Sequence, residues 1–172
     1  MLLLKIVKRI SLVIVLICLG YLIFINAYQE YDVISQNRII DSIFNYDLSD
    51  YDGYIYIPRF NIKRLIMRGT DGYTLDQGYV GMYDSSCDIS SDCLVILAGH
   101  NISNVFSRLH DISIGDSVIL GGSVYRRFVV YDKKVVSEDD FSYFYNRSNE
   151  LMLITCTDYD GYRLFVFLKE VL

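Results

Sequence analysis

Short apolar runs separated by polar residues fill the chain from Gly53 to its C-terminus. The runs are rich in β-branched and aromatic residues, which favour strands, and the separators are rich in Gly, Asp, Ser and Asn, which favour turns. Seven or eight such runs in about 120 residues predict a closed barrel or a sandwich. The predicted strands are Tyr54–Ile57, Leu65–Arg68, Leu94–Leu97, Ser117–Leu120, Phe128–Tyr131, Leu151–Thr155 and Leu164–Leu168.

A helical pattern interrupts the strands once. Asn101–His110 predicts a short helix with Val105, Phe106 and Leu109 turned inward. His110 is then a residue at the end of that helix rather than a catalytic group.

The N-terminal segment has a different pattern. Ile10–Ile25 is almost wholly apolar and follows Lys5, Lys8 and Arg9. Its length lies between that of a spanning helix, about 20 residues, and that of a signal-peptide core, about 7–15. No small-residue cleavage site follows, which favours an uncleaved anchor with its basic flank in the cytoplasm; a cleaved signal peptide is the alternative.

A helical linker is predicted between this anchor and the strands. Tyr31–Tyr46 carries Val33, Ile39, Ile40, Ile43 and Phe44 at roughly helical spacing. We expect this stripe to pack on the strand domain; an exposed stalk is the alternative. The turn-prone stretch Asp47–Gly53 closes it. The predicted organisation is an anchor over residues 1–27, a helical linker over 28–52 and a β domain over 53–172.

Charge separates the two ends of the chain. The first 27 residues hold three basic side chains and no acidic one, whereas the remainder holds 13 basic and 21 acidic side chains, a net charge of −8. Nucleic-acid binding needs basic patches, so this balance speaks against it.

Three residues with reactive side chains stand at strand ends. Cys156 ends one apolar run, Arg163 lies at the start of the next, and His100 follows the run Val95–Ala98 and a glycine. Only a thiolate is a good nucleophile, and a nearby cation can activate it or stabilise the oxyanion formed after attack. Each residue alone is more often structural, but all three at strand ends favour a catalytic site.

On these residues the chain resembles the sortases, the transpeptidases that attach surface proteins to Gram-positive cell walls. Met152 stands where the family often has Thr, on a strand residue that does no chemistry. The resemblance runs from about Gly53 to the C-terminus. It rests on Leu153-Ile154-Thr155-Cys156, Arg163 and Leu97-Ala98-Gly99-His100, with support from Ile55–Ile62, Phe106–Leu109 and Ile114–Val118.

The resemblance implies an eight-stranded barrel with short connecting helices and a cysteine transpeptidase activity. Cys156 would attack the threonine carbonyl of an LPxTG-like sorting signal in a secreted protein, Arg163 would bind the oxyanion or the substrate backbone, and His100 would move protons. The acceptor would be an amine of a cell-wall precursor or a pilin lysine. The short interval between His100 and Cys156 argues against class B, and the compact Phe106–Leu109 and Gly115-Asp116 segment resembles classes A, C and D. No Asp-Pro-x lid motif is visible, which makes a lidded class C enzyme less expected. These features favour a housekeeping or class D-like anchoring enzyme, with class B as the alternative.

Further residues are weaker candidates for substrate binding: Thr155, Ala98, Asn101, Tyr143 and Tyr145. In the resembled family the segment holding the two tyrosines leans over the cleft and grips the sorting signal; alternatively the two rings only cap the barrel. Asn101 and Asp158 lie beside the motif residues and could orient His100.

The other cysteines suggest one structural feature. Cys18 lies in the apolar N-terminal run, which leaves Cys87 and Cys93 as either a disulfide that closes a small loop or two free thiols. A bridge would contribute about 2–3 kcal/mol at best.

We expect no cofactor. A zinc site from Cys87, Cys93, His100 and Cys156 lacks the spacing of a ribbon or finger. Some sortases use calcium, but no EF-hand-like spacing is present, and solvated loop acids are the better interpretation. The acids concerned are Asp71, Asp84, Asp88, Asp92, Asp139 and Asp140.

Two other functions stay open at this point. One is a non-catalytic, membrane-anchored barrel that binds a peptide or glycan, in which Cys156 is buried and unreactive. The other is a cysteine peptidase that hydrolyses the same signal, because water and amines compete for one thioester.

Overall fold

The computed structural model describes residues 2–42, 51–140, 142–145 and 147–171. The chain divides into two compact units, Met1–Ser35 and Gln36–Leu172.

The first unit lies within one long helix, α1 (Leu2–Ser42). Its segment Arg9–Tyr28 has 20 residues and a mean hydropathy of 2.6, and is long and apolar enough to cross a membrane. The N-terminal apolar helix expected from the sequence is thus confirmed as a helix. α1 continues without a break through the predicted boundary between anchor and linker.

The end of α1 belongs to the second unit. Ile40, one residue of the predicted apolar stripe, is buried there, and so is Gln36. The Gln36 side chain accepts a hydrogen bond from the Leu65 backbone N–H and donates one to the Gln77 carbonyl. The side chains of Val33 and Ile39, together with residues 43–50, lie outside the described residues.

Among the described residues of the second unit, eight strands close into a barrel. The mainly β barrel predicted from the sequence is confirmed. A short helix, α2 (Gly72–Asp76), and three 3₁₀ turns, Pro58–Phe60, Ser107–Asp111 and Ser142–Phe144, lie in the connections. The strands are β1 (Gly53–Ile57), β2 (Ile62–Arg68), β3 (Val80–Met82), β4 (Val95–Ala98), β5 (Ser117–Gly121), β6 (Arg126–Ser137), β7 (Glu150–Cys156) and β8 (Tyr162–Val171). Around the barrel they follow the order β1-β2-β3-β4-β7-β8-β6-β5.

Two strand pairs are parallel and the others antiparallel. The parallel pairs are β2 with β3 and β4 with β7. The chain between β2 and β3 contains α2, and the long connection between β4 and β7 contains β5 and β6. A parallel pair needs such a connection, because its second strand must start at the same end as its first.

The barrel buries apolar side chains on two faces. The interior is filled by alternate residues of every strand, such as Leu153 on β7 and Val166 on β8. A second cluster covers the outer face of β4, β7 and β8 and includes Ile154 and Phe165. β7 is therefore buried on both sides, which explains its uninterrupted apolar sequence.

The structure differs from the sequence predictions at short elements. β3 and α2 were not predicted, because a three-residue strand and a five-residue helix give little periodic signal. The predicted helix Asn101–His110 is only the 3₁₀ turn Ser107–Asp111, although Phe106 and Leu109 are buried as expected. Asn104 has φ 66°, a left-handed conformation that a helix does not continue through.

Cys87 and Cys93 form a disulfide, which resolves the two alternatives. Arg126 of β6 holds the same loop: its buried guanidinium donates to the carbonyls of Ile89 and Ser91 and to the Glu170 carboxylate on β8. The hydrogen bond from Arg126 lowers the pKa of Glu170 below its usual value.

Replacing Arg126 by Met should destabilise the protein by about 2–4 kcal/mol at neutral pH, because two carbonyls and one carboxylate lose their buried donor. Since the folded-state pKa of Glu170 is lowered, the ion pair stabilises the fold above the usual Glu pKa and loses that effect as pH falls through the lowered value. Denaturant unfolding at pH 7 and in acid should therefore show a smaller difference in acid. The exposed neighbour Arg127→Met is the control, and an equal loss for both variants would contradict the assignment.

Candidate active site

Cys156 and Arg163 lie directly opposite each other on β7 and β8. Directly opposed residues of an antiparallel pair share a face, with Cβ atoms about 5 Å apart. That face is the outer one. Ile154, two residues before Cys156, and Phe165, two residues after Arg163, lie on the same face of their strands and belong to the outer apolar cluster. The connecting turn ends at Gly161, whose φ of 75° suits glycine. The thiol and the guanidinium are thus brought together at one edge of the barrel.

His100 reaches the same edge from β4. β4 runs parallel to β7 with Ala98 opposite Ile154, so His100 and Cys156 each lie two residues beyond a paired position. The Gly99 N–H donates to the Ile154 carbonyl at 3.1 Å, and the Thr155 hydroxyl donates to the Gly99 carbonyl at 2.9 Å. These two bonds join the end of β7 to the residue that precedes the histidine.

Gly99 is required at this position by close packing. A Cβ atom there would lie 2.7 Å from the Phe106 ring and 3.0 Å from a Val105 methyl group. The buried residues after the histidine therefore explain why a glycine precedes it.

The Arg163 guanidinium is held from the end of β6. Its Nη2 pairs with the Glu138 carboxylate at 2.5 Å, and its Nη1 donates to the Tyr162 carbonyl at 3.0 Å. Glu138 is itself fixed, because its N–H donates to the Gly161 carbonyl. About a third of the Arg163 side chain is exposed, so the group is open to a ligand.

Tyr83 is a site residue that the sequence analysis did not identify. It follows β3 and packs edge-on against Phe144, with ring centroids 5.4 Å apart. Burial raises the pKa of its phenol, the Arg163 guanidinium lowers it, and the Cys156 thiolate raises it. Tyr83 thus lies within the field of both catalytic candidates. Only the position of β3 beside β4 reveals this.

The hydrogen-bond partner of the His100 ring is Asp76, at the end of α2. His100 Nε2 lies 2.9 Å from Asp76 Oδ1. Asn101 and Asp158 were the candidates from the sequence for orienting the ring; the partner that the structure shows at Nε2 is a different residue. Asp76 lies in a helix that the sequence analysis did not predict, 24 residues away, and no local motif indicates it.

His110 lies in the last turn of the 3₁₀ segment Ser107–Asp111, as expected of a helix-end residue. Its Nε2 lies 3.3 Å from the Cys156 carbonyl oxygen. Its own carbonyl accepts a hydrogen bond from Lys133. The second histidine therefore contacts the backbone of the candidate nucleophile.

The weaker candidates are distributed unevenly. Ala98 is buried in the outer apolar cluster beside Ile154, and Asn101 is half-buried in the loop after His100. Thr155 points inward and is 2% exposed, and its hydroxyl already donates a hydrogen bond to the Gly99 carbonyl. Tyr143 packs on Phe165 and Phe167, as a capping ring would, whereas Tyr145 is exposed.

No group of three or more His, Cys, Asp or Glu side chains is arranged to hold a metal ion among the residues that the structure describes. The disulfide occupies Cys87 and Cys93. Several of the loop acids have other partners: Asp71 caps α2, Asp88 pairs with Arg68, and Asp140 accepts from the Ser142 N–H.

Acyl transfer through a cysteine is the chemistry that a thiol, a guanidinium and an imidazole at one barrel edge can support. The sortase domain model matches residues 55–171. The chain therefore belongs to the sortase family of cysteine transpeptidases.

Individual relatives agree with this assignment. The chain is 33% identical over 108 residues to Sortase D of Bacillus subtilis strain 168, a match that covers 60% of this chain and 53%, about half, of that relative. Sortase C1 of Streptococcus agalactiae is similar in structure, with TM-score 0.66 and 28% identity over 73% of this chain and 70% of that one. Sortase C-1 of Actinomyces oris has TM-score 0.67 and 25% identity over 73% and 75% of the two chains.

Replacing Thr155 by Val should cost about 1–2 kcal/mol, because the Gly99 carbonyl loses its buried donor while the side-chain shape is kept. Thr157→Val is the control: it removes a half-buried hydroxyl whose hydrogen bonds to the Tyr159 and Tyr162 carbonyls are exposed to solvent. Thermal unfolding of both variants checks the prediction, which fails if Thr155→Val is no less stable than Thr157→Val.

Proposed function

We propose that this protein is a membrane-anchored transpeptidase that cleaves an LPxTG-like sorting signal of secreted proteins and transfers them to an amine. The observation that carries the proposal is the cross-strand pair of Cys156 and Arg163, with His100 at the same barrel edge. Membership of the sortase family supports the reaction class.

In the first half-reaction the Cys156 thiolate attacks the carbonyl carbon of the threonine in the signal. A C–S bond forms and the carbonyl oxygen becomes an oxyanion, which Arg163 stabilises by hydrogen bonding. The C–N bond then breaks, and His100 gives a proton to the departing amine. The products are a thioester on Cys156 and the released C-terminal fragment.

In the second half-reaction an acceptor amine attacks the thioester. His100 takes the proton from the incoming nitrogen, the C–S bond breaks, and Cys156 leaves as the thiolate. The acceptor is an amine of a cell-wall precursor or a pilin lysine. Water in place of the amine would give hydrolysis.

Glu138 limits how Arg163 binds the substrate. A guanidinium has five N–H donors in a fixed plane, and the Glu138 carboxylate and the Tyr162 carbonyl accept from two nitrogens. The substrate oxyanion is therefore bound by other N–H groups of the same guanidinium, or it displaces Glu138. Lysine lacks the planar fork and would serve poorly.

The outer apolar cluster supplies a surface for the signal. Tyr83, Phe144 and Ala98 lie on the face that carries the catalytic candidates. This surface suits an apolar residue of an LPxTG-like peptide, because desolvation of the ring faces favours apolar contact. Tyr145 is exposed and available to the same ligand.

The helix α1 is proposed as a single-pass anchor in the cell membrane. Its basic flank, Lys5, Lys8 and Arg9, favours a cytoplasmic N-terminus, which leaves the barrel outside the cell. Secreted proteins and wall precursors are met on that side, and the disulfide suits an oxidising compartment. The similarity to Sortase D supports the class D-like subclass.

Replacing Cys156 by Ala should abolish both cleavage and transfer, because the thioester cannot form. We would incubate the chain in detergent with a library of quenched LPxTG-like pentapeptides and added amines, and follow the enzyme by intact mass spectrometry. Cys18→Ala removes the other free thiol among the described residues and is the matched control. An adduct that persists on the Cys156→Ala variant would refute the mechanism. No adduct on the unmodified chain, together with a thiol that resists alkylation, would favour a binding module.

Replacing Arg163 by Lys should lower kcat/KM by about 100-fold or more, because the planar donors that meet the oxyanion are lost. The rate of thioester formation with the best peptide checks this prediction. Arg127→Lys, on an exposed part of β6, is the control. A rate for Arg163→Lys within experimental error of the unmodified chain would exclude the proposed role.

A further inference from the structure

Asp76 contacts a catalytic candidate from outside the motif. Its Oδ1 lies 2.9 Å from His100 Nε2, and the two side chains are 75% and 36% exposed. An exposed ion pair contributes little to stability, so the contact is better explained by its effect on the histidine.

The chemistry of the two groups fixes the direction of this hydrogen bond. An ionised carboxylate has acceptor oxygens and no donor, so the proton in the bond belongs to His100 Nε2. A neutral imidazole has one protonated nitrogen, which leaves Nδ1 as the basic one. We propose that Asp76 is a positioning residue that holds His100 in the Nε2–H tautomer, so that Nδ1 exchanges the proton with the leaving and incoming amines. This inference rests on the transpeptidase function proposed above.

The fold holds Asp76 in place. Asp71 caps α2 by accepting from the Thr74 N–H at 2.9 Å, and Thr74 is buried. The Gly78 N–H donates to the Leu75 carbonyl, which closes the turn directly after Asp76. Gln77, the next residue, is held through its carbonyl by the buried Gln36 of α1. The carboxylate therefore projects from a turn fixed at its start and at its end.

The barrel topology brings this turn to the histidine. α2 leads into β3, and β3 pairs with β4 with Gly81 opposite Ala98. His100 follows Ala98 by two residues. The pairing of β3 with β4 therefore sets the positions of both residues in the contact, Asp76 and His100. Tyr83 directly follows β3, so this short strand has a site residue on each side of it, Asp76 before and Tyr83 after.

The second histidine supplies an internal reference. His110 Nε2 faces the Cys156 carbonyl, which can only accept, so His110 is also expected as the Nε2–H tautomer. The chain has only these two histidines, so an imidazole ¹⁵N spectrum contains two sets of signals. A change at one histidine can therefore be measured against the other.

The test uses the full chain in detergent with Asp76→Ala and Asp76→Asn. Asp71→Asn is the matched control, because it makes the same charge change on the same helix and Asn caps helices as well as Asp. Histidine ¹⁵N spectra are recorded near pH 8.5, where unperturbed imidazoles are neutral, and signals are assigned with His110→Gln. Thermal unfolding shows whether each variant is folded. If Asp76→Ala does not fold, the comparison is made with Asp76→Asn alone.

In the unmodified chain and in Asp71→Asn we expect His100 as the Nε2–H tautomer. In Asp76→Ala we expect a mixture of tautomers at His100 and no change at His110. In this variant kcat should fall about 10–100-fold while KM stays nearly unchanged. This fall is smaller than the one that follows loss of a buried aspartate in a catalytic triad. Asp76→Asn keeps an acceptor oxygen, so it should recover part of the preference for the Nε2–H tautomer and part of the lost kcat.

The inference is wrong if His100 keeps the same tautomer in Asp76→Ala, if kcat is unchanged there, or if Asp76→Asn recovers nothing. The spectrum needs no substrate, so it separates the two proposals. An inactive unmodified chain with an Asp76-dependent tautomer would refute the transpeptidase function and leave the contact established. An active chain whose His100 tautomer does not depend on Asp76 would support the transpeptidase function and refute the positioning role of Asp76.

Discussion

The rest of the structure depends on the position of β7 between β4 and β8. β7 is hydrogen-bonded in parallel to β4 and antiparallel to β8, and six of its seven residues are buried. A buried strand must pair its backbone groups on both sides, because unpaired polar groups in a core are costly. Both neighbours are thus fixed in register by main-chain bonds.

These registers bring the catalytic candidates together. The end of β4, the end of β7 and the start of β8 lie at the same edge of the barrel. His100 lies two residues after β4, Cys156 is the last residue of β7 and Arg163 is the second residue of β8. The alternation of side chains along a strand puts the thiol and the guanidinium on the outer face, above the apolar cluster. The site is therefore a product of strand pairing rather than of a flexible loop.

Around this edge, acidic residues pair with two of the catalytic candidates. Glu138 pairs with Arg163, and Asp76 with His100, and each comes from the end of a different element. Arg and His supply hydrogen bonds to substrate only if their side chains point the right way, and a fixed carboxylate reduces the rotamers that they sample. The acidic composition of the domain by itself indicates only solubility, but two of its acidic residues thus have specific partners at the site.

The sequence by itself predicted a closed barrel or a sandwich and an apolar N-terminal helix, because runs of apolar residues are local signals. The Leu-Ile-Thr-Cys, Arg and Gly-His motifs indicated the family, and that resemblance favoured the eight-stranded barrel. The sequence left the disulfide open, placed no strand at Val80–Met82 and offered Asn101 and Asp158, rather than Asp76, as partners for His100. Tyr83, Asp76 and Glu138 reach the site through β3, α2 and the end of β6. Only the tertiary structure decided these contacts, since residues distant in the chain meet through strand register, which no local pattern encodes.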